Sequence, residues 1–178
     1  MANMPRRETV QVVVDDAAIA ADDLRVIIEP VWWLANIYDG PGLYEQSLKP
    51  FSQSQRFVFA IRWYVAEVCN GGHKQFYSNS TGIVWRDALA GFQAIDLPRG
   101  AQIVSLSAER MGGSPSLERE DRQEQLDALR PDFEDCDEAL FALKKQIDID
   151  AKMMDFIRAR PQDFFFSGTI TKVVLPTR

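Results

Sequence analysis

Residues 52–82 read SQSQRFVFAIRWYVAEVCNGGHKQFYSNSTG, and the way this stretch divides decides the kind of protein the chain makes. Ser52 and Gln55 match a capping box, in which a hydroxyl accepts an orphan N–H and an amide reaches back to the cap. Val58, Ile61, Val65 and Val68 follow at spacings of three and four, so one face of a helix is apolar. Phe57, Trp63 and Tyr64 widen that stripe. Asn70-Gly71-Gly72 then closes the helix, because Asn and Gly enter the left-handed conformation cheaply. HKQFYS suffices for about two further turns at ~3.6 residues each. Asn79-Ser80-Thr81-Gly82 offers polar caps for a next helix, in which Trp85, Ala88, Leu89 and Phe92 repeat helically. The stretch predicts a corner between packed helices.

The same reading extends outward. Thr9–Val14 (TVQVVV) reads as a strand, and a helix follows with Leu24, Ile27, Ile28, Val31 and Leu34 on one side. Pro30 kinks or restarts that helix, and Asp39-Gly40-Pro41-Gly42 stops it. Pro98 opens a helix carrying Ile103 and Leu106, closed by Gly112-Gly113. Leu126, Leu129, Phe133, Cys136, Leu140, Leu143 and Ile147 alternate spacings of three and four. They suit one long helix, or two nearly collinear ones broken at Pro131, with Asp132 and Asp135 capping the second half. A last helix holds Met153, Met154, Phe156 and Ile157 before Pro161, and SGTITKVVLPT (167–177) alternates as a strand. The two terminal strands are expected to pair, within one chain or between the copies of a homodimer.

The expected fold is therefore mainly α: a single-domain helical bundle over residues 1–178 with a minor β element from the N- and C-terminal strands. Residues 1–44 supply a strand and helix, 45–165 the helical core, and 166–178 the closing strand. An apolar share of 46% with eleven Phe and four Trp argues for a packed core and against disorder. No apolar run approaches the ~18 residues of a membrane span, and the N-terminus lacks a signal-peptide apolar region, so a cytoplasmic protein is expected. Cys69 and Cys136 fit a reducing compartment.

Net charge is −6, and its distribution says more than its size. Residues 118–138 hold ten acids against three arginines, a local charge of −7, while the remainder holds 16 acids against 17 bases. A nucleic-acid binder needs clustered Lys and Arg, so direct nucleic-acid binding is not expected. An acidic face suits a basic partner instead.

Catalytic signals are sparse. Cys69 and His73 are four apart, yet Asn-Gly-Gly breaks the helix that would align them as a nucleophile pair. The lone histidine excludes a histidine-rich metal site, and no phosphate loop, GxSxG or HExxH occurs. Neither a catalytic residue, a metal nor a cofactor is expected. The carboxylates are the stronger signal. Glu120, Glu124 and Asp127 are spaced four and three with Asp121 beside them; Glu134 and Glu138 are spaced four with Asp135 and Asp137 adjacent. Like charges so placed weaken a helix by about 0.2–0.5 kcal/mol per pair. Acids near a helix start gain from its dipole, which accounts for Asp132, Glu134 and Asp135 but not for Glu124, Asp127 and Glu138. Two readings stand side by side: a solvated face, or a row of carboxylates offered to a basic protein.

Glu67, Val68, Asn70, Gly71, Gly72, Gln75, Phe76, Asn79, Ser80 and Gly82 together resemble the recurring core of a bacterial family of unknown-function domains whose best-known member is a DNA-mimic protein. The resemblance covers roughly 45–165. His73 and Cys69 depart from it, an aromatic such as Phe being usual at the first. It implies a mostly helical fold, no known catalysis, and a basic partner such as a transcription factor or histone-like protein. His73 in a Phe position implies packing, with the motif serving as a turn whose Asn and Ser side chains satisfy backbone groups. Two alternatives remain: an immunity or antitoxin protein, and a small-ligand or hydrolytic site at the Gly71-Gly72 corner using Glu67, His73 and Asn79, with Gln75 and Tyr77 nearby.

Overall fold

The computed structural model describes residues 6–174. The first strand, β1, runs Arg6–Val14, and helices α1 (Asp16–Ala20), α2 (Leu24–Leu34) and α3 (Pro41–Leu48) follow. The long helix α4 (Gln53–Ser78) precedes a 3-10 segment at Ser80–Val84, then α5 (Trp85–Ala94) and α6 (Pro98–Arg110). After a loop come α7 (Arg119–Leu129), α8 (Glu134–Gln146), α9 (Ile149–Arg158), a second 3-10 turn at Pro161–Phe164, and β2 (Phe166–Val174). The mainly α class with a minor terminal β element is what the periodicities predict.

α4 is the spine, with α2, α5, α7 and α8 all packed against it. It starts where expected: the Gln55 N–H donates to Ser52 Oγ at 3.1 Å and the Ser52 N–H to Gln55 Oε1 at 2.9 Å. Ser52 Oγ also donates to the Asp163 carbonyl at 2.7 Å, tying the helix start to the chain before β2. Its apolar stripe is buried at Val58, Ile61, Tyr64 and Val68. Trp32 of α2 stacks on Trp63 with centroids 4.3 Å apart, fastening α2 alongside.

The terminal strands pair antiparallel within one chain, Arg6 opposite Val174 and Val14 opposite Phe166. Period-two alternation sends Val12, Val14 and Ile170 into the core. Thr9 and Thr171 face solvent, their hydroxyls 3.1 Å apart. The expected end of this strand, Leu175–Thr177, lies outside the described residues. Among the described residues, no helix is long and apolar enough to cross a membrane.

Three details differ from the sequence expectations. α2 runs on through Pro30, whose ring is buried in the core. The 126–147 stripe is two helices broken around Pro131, the second of its two expected forms, but Leu129, expected on the buried side, is 50% exposed while Cys136, Leu140 and Leu143 are fully buried. The cause is Arg130 at φ 44, which together with Pro131 redirects the chain. Asn79-Ser80-Thr81-Gly82 forms a 3-10 turn, and α5 has no side-chain cap. Asp132 partly fills the capping role expected of it, accepting the Glu134 N–H at 3.0 Å.

Candidate interaction surface and the corner that carries it

The corner within α4 lies at Gly71-Gly72, where backbone angles leave the helical region and Gly72 takes φ +76. A side chain at Gly72 would be strained by that φ, and its Cβ would stand 2.5 Å from Asp137 Oδ2. The residues that follow are bound internally. The Glu67 carboxylate accepts the Gln75 amide at 2.8 Å and the Asn79 amide at 3.0 Å, bridging the two arms of the corner. Asn79 therefore braces a carboxylate instead of capping a backbone, the role expected of it from sequence.

Arg122 of α7 reaches the same corner and is fully buried. It meets main-chain oxygen only: Nε donates to the Tyr77 carbonyl at 2.7 Å, Nη2 to Asn79 at 2.7 Å, and Nη1 to Ser116 at 2.8 Å and Leu117 at 3.2 Å. Burial, with Arg119 nearby, brings its pKa down to about 10, so it stays charged at neutral pH. Gly82 leaves the room it needs, since a Cβ there would lie 2.5 Å from Arg122 Nε and 2.8 Å from the Phe76 carbonyl oxygen. Arg119 and Gln123 both donate to the Ser78 carbonyl, at 3.0 and 2.9 Å. Sequence reasoning passed over Arg122. The signal was its position four before Leu126, which extends the buried stripe of α7.

α8 is held by His73. The imidazole is completely buried, stacked on Phe133 with centroids 5.7 Å apart and edge-on to Tyr64 at 5.4 Å. Its backbone N–H donates to Asp137 Oδ1 at 2.8 Å, and Nδ1 lies 2.5 Å from that same oxygen. Nε2 is 2.5 Å from the Tyr64 hydroxyl. Burial raises the Tyr64 pKa well above its usual value, so the phenol is protonated and donates to Nε2. The ring proton accordingly sits on Nδ1, facing Asp137.

The corner thus grips α7 through Arg122 and α8 through His73, and both helices present acids outward. Glu120, Asp121, Glu124 and Asp127 of α7 are exposed, as are Asp132, Glu134, Asp135 and Glu138. Asp137 alone among the predicted face is half-buried, its carboxylate engaged by His73. Asp135 pairs with Arg110 at 2.5 Å, and Arg110 also donates to the Asp132 carbonyl. Of the ten acids in 118–138, Asp135 alone forms an ion pair with a permanently charged side chain among the described residues, while Asp137 is hydrogen-bonded to the neutral His73. A groove of about 500 Å³ runs beside Lys74, Phe133, Asp137 and Glu138, ending at Phe141, which is 41% exposed.

The side chains of the catalytic alternatives are engaged by other groups. Glu67 and His73 are bound to different partners. Cys69 Sγ accepts from Lys144 Nζ at 3.1 Å, and both cysteines are free thiols. Among the described residues no group of three or more His, Cys, Asp or Glu could hold a metal ion.

Fold and surface together define a helical protein whose central helix, bent at a Gly-Gly corner, carries two acid-rich helices. The chain belongs to the DMP19-like protein family, whose family model matches residues 49–160, from just before α4 to just after α9. No curated protein and no solved structure matches it in the corresponding comparisons.

Proposed function

We propose that this protein is a non-enzymatic interaction protein that binds a basic, DNA-binding protein through the acidic helices α7 and α8, standing in for DNA. The observation that carries the reading is a set of exposed carboxylates without an ionic partner among the described residues, of which Glu120, Glu124, Asp127, Glu134 and Glu138 lie on α7 and α8. Acids serving stability alone would gain from a nearby guanidinium or ammonium, as Asp135 does. These five leave their charge to solvent or to a partner. Family membership supports the same reading, since DMP19 is a DNA mimic. Partners of the transcription-factor or histone-like kind present the complementary lysines and arginines. Phe141 beside Glu138 adds an apolar contact that would distinguish a protein surface from a simple counter-ion.

The test is affinity capture from the native lysate at low and high salt, followed by competition with duplex DNA. A partner held by this face is released by salt and displaced by DNA. Reversing Glu120, Glu124, Asp127, Glu134 and Glu138 to Lys should abolish capture. A partner that stays on the reversed protein in ordinary salt would sink the proposal.

A further inference from the structure

α2 carries Trp32 and Trp33 side by side, both half-buried, and the two line a pocket of about 490 Å³ where α2 meets α4. Trp32 is held in place by its neighbours. It stacks on Trp63 at 4.3 Å with the planes 8° apart, and sits T-shaped against Phe59 at 6.0 Å. Trp33 enters no ring pair among the described residues. A half-buried indole left unpaired at a pocket wall offers a flat π surface to whatever enters.

The charges around these rings select the occupant. Asp23, Arg25, Glu29 and Arg62 also line the pocket, two of each sign, and each already has a partner. Arg25 and Asp23 hold each other at 3.1 Å. Arg62 donates to both Asp150 oxygens, at 2.9 and 2.8 Å, and Glu29 accepts from Lys172 of β2 at 3.1 Å. A charged ligand would have to break one of these pairs, or give up its water with no counter-ion in return. An uncharged one does neither. We propose that this pocket binds an uncharged planar aromatic molecule, held by the indoles of Trp32 and Trp33. Its volume falls within the roughly 300–1,000 Å³ of small-molecule sites, where apolar and aromatic walls with a few fixed polar groups are the usual lining. None of the lining belongs to α7 or α8, and all of it but Arg62 precedes residue 49, where the family match begins. The site is therefore separate from the acidic surface.

Nitrogen–proton NMR of the whole chain gives one indole N–H signal for each of the four tryptophans. Trp85, whose N–H donates to the Pro115 carbonyl at 3.0 Å and which does not line the pocket, serves as the internal reference. The probe is naphthalen-2-ylmethanol, compared with 2-naphthoate, naphthalen-2-ylmethylammonium and the decahydro alcohol, all built on one skeleton. The aromatic alcohol should shift the Trp32 and Trp33 signals saturably, with a Kd on the order of 1 mM or tighter for a probe of this size, and leave Trp85 in place. The two ions and the saturated alcohol should bind about tenfold more weakly or worse. Val26→Arg sets a long side chain at the pocket from an exposed position, and Trp33→Leu keeps apolar bulk without the ring. Both should abolish the Trp32 shift, while a Trp85 signal at its wild-type position shows that each variant is folded. The absence of a saturable shift at the solubility limit would overturn the site. So would equal binding of either ion or of the saturated alcohol, a Trp85 signal that moves in step with the others, or unchanged binding in either variant.

Discussion

Arg122 and Gly82 form one unit, and their coupling is measurable. Replacing Arg122 with methionine leaves the carbonyls of Tyr77, Asn79 and Ser116 without their donor. Buried acceptors stranded in this way should make the loss about 3 kcal/mol or more by chemical denaturation. Gly82→Ala drives a methyl against Arg122 Nε and the Phe76 carbonyl, costing about 1–3 kcal/mol, because the backbone oxygen cannot swing aside. The double substitution should cost less than the sum of the two, since a flexible methionine in place of Arg122 no longer crowds position 82 from the side-chain direction. Strict additivity would mean that the two sites act independently. Gly82 was legible as a motif position, but its reason was not: the side chain it accommodates comes from residue 122, forty positions away in sequence.

At the scale of elements, the local signal that opens α4 was read well, whereas the polar caps expected at Asn79–Gly82 did not form. The Ser52–Gln55 box needs only neighbours, and it formed. Ser52→Ala should cost about 1–2 kcal/mol. Ser52→Asp should recover part of that, keeping the cap acceptor while losing the donation to Asp163. A full recovery would show that the Asp163 link contributes nothing. The 126–147 stripe was read in part: the break at Pro131 was one of its two expected forms, but spacing does not reveal that Arg130 turns left-handed and leaves Leu129 exposed. Leu140→Ala should therefore cost about 2–5 kcal/mol, and Leu129→Ala within about 0.5 kcal/mol. Equal losses at these two positions would imply the continuous helix that the periodicity allowed.

For the molecule as a whole, the exposed acids offer a clean separation of folding from binding. Reversing Glu120, Glu124, Asp127, Glu134 and Glu138 shifts net charge from −6 to +4, two units for each Glu or Asp to Lys change. Because none has an ionic partner among the described residues, thermal denaturation should move by only a few degrees while capture of a basic partner is lost. A collapse of the midpoint would assign these side chains to structure. Asp137→Ala, by contrast, should destabilise α8 without changing the salt dependence of capture, since its carboxylate serves His73.

Periodicity, caps and charge counting by themselves determined the helical class, the terminal strands, the corner at Gly71-Gly72 and the acidic stretch, because each is encoded by residues within a few positions of one another. Tertiary structure alone decided which acids remain outward and which turn in, and why the motif residues are needed. Asp137 and Glu138 are adjacent and chemically alike in sequence, yet one is spent on a buried imidazole 64 residues earlier and the other faces solvent. A carboxylate's role depends on what folding brings within about 3 Å of it, and pairing at that range across distant elements leaves no trace in local spacing.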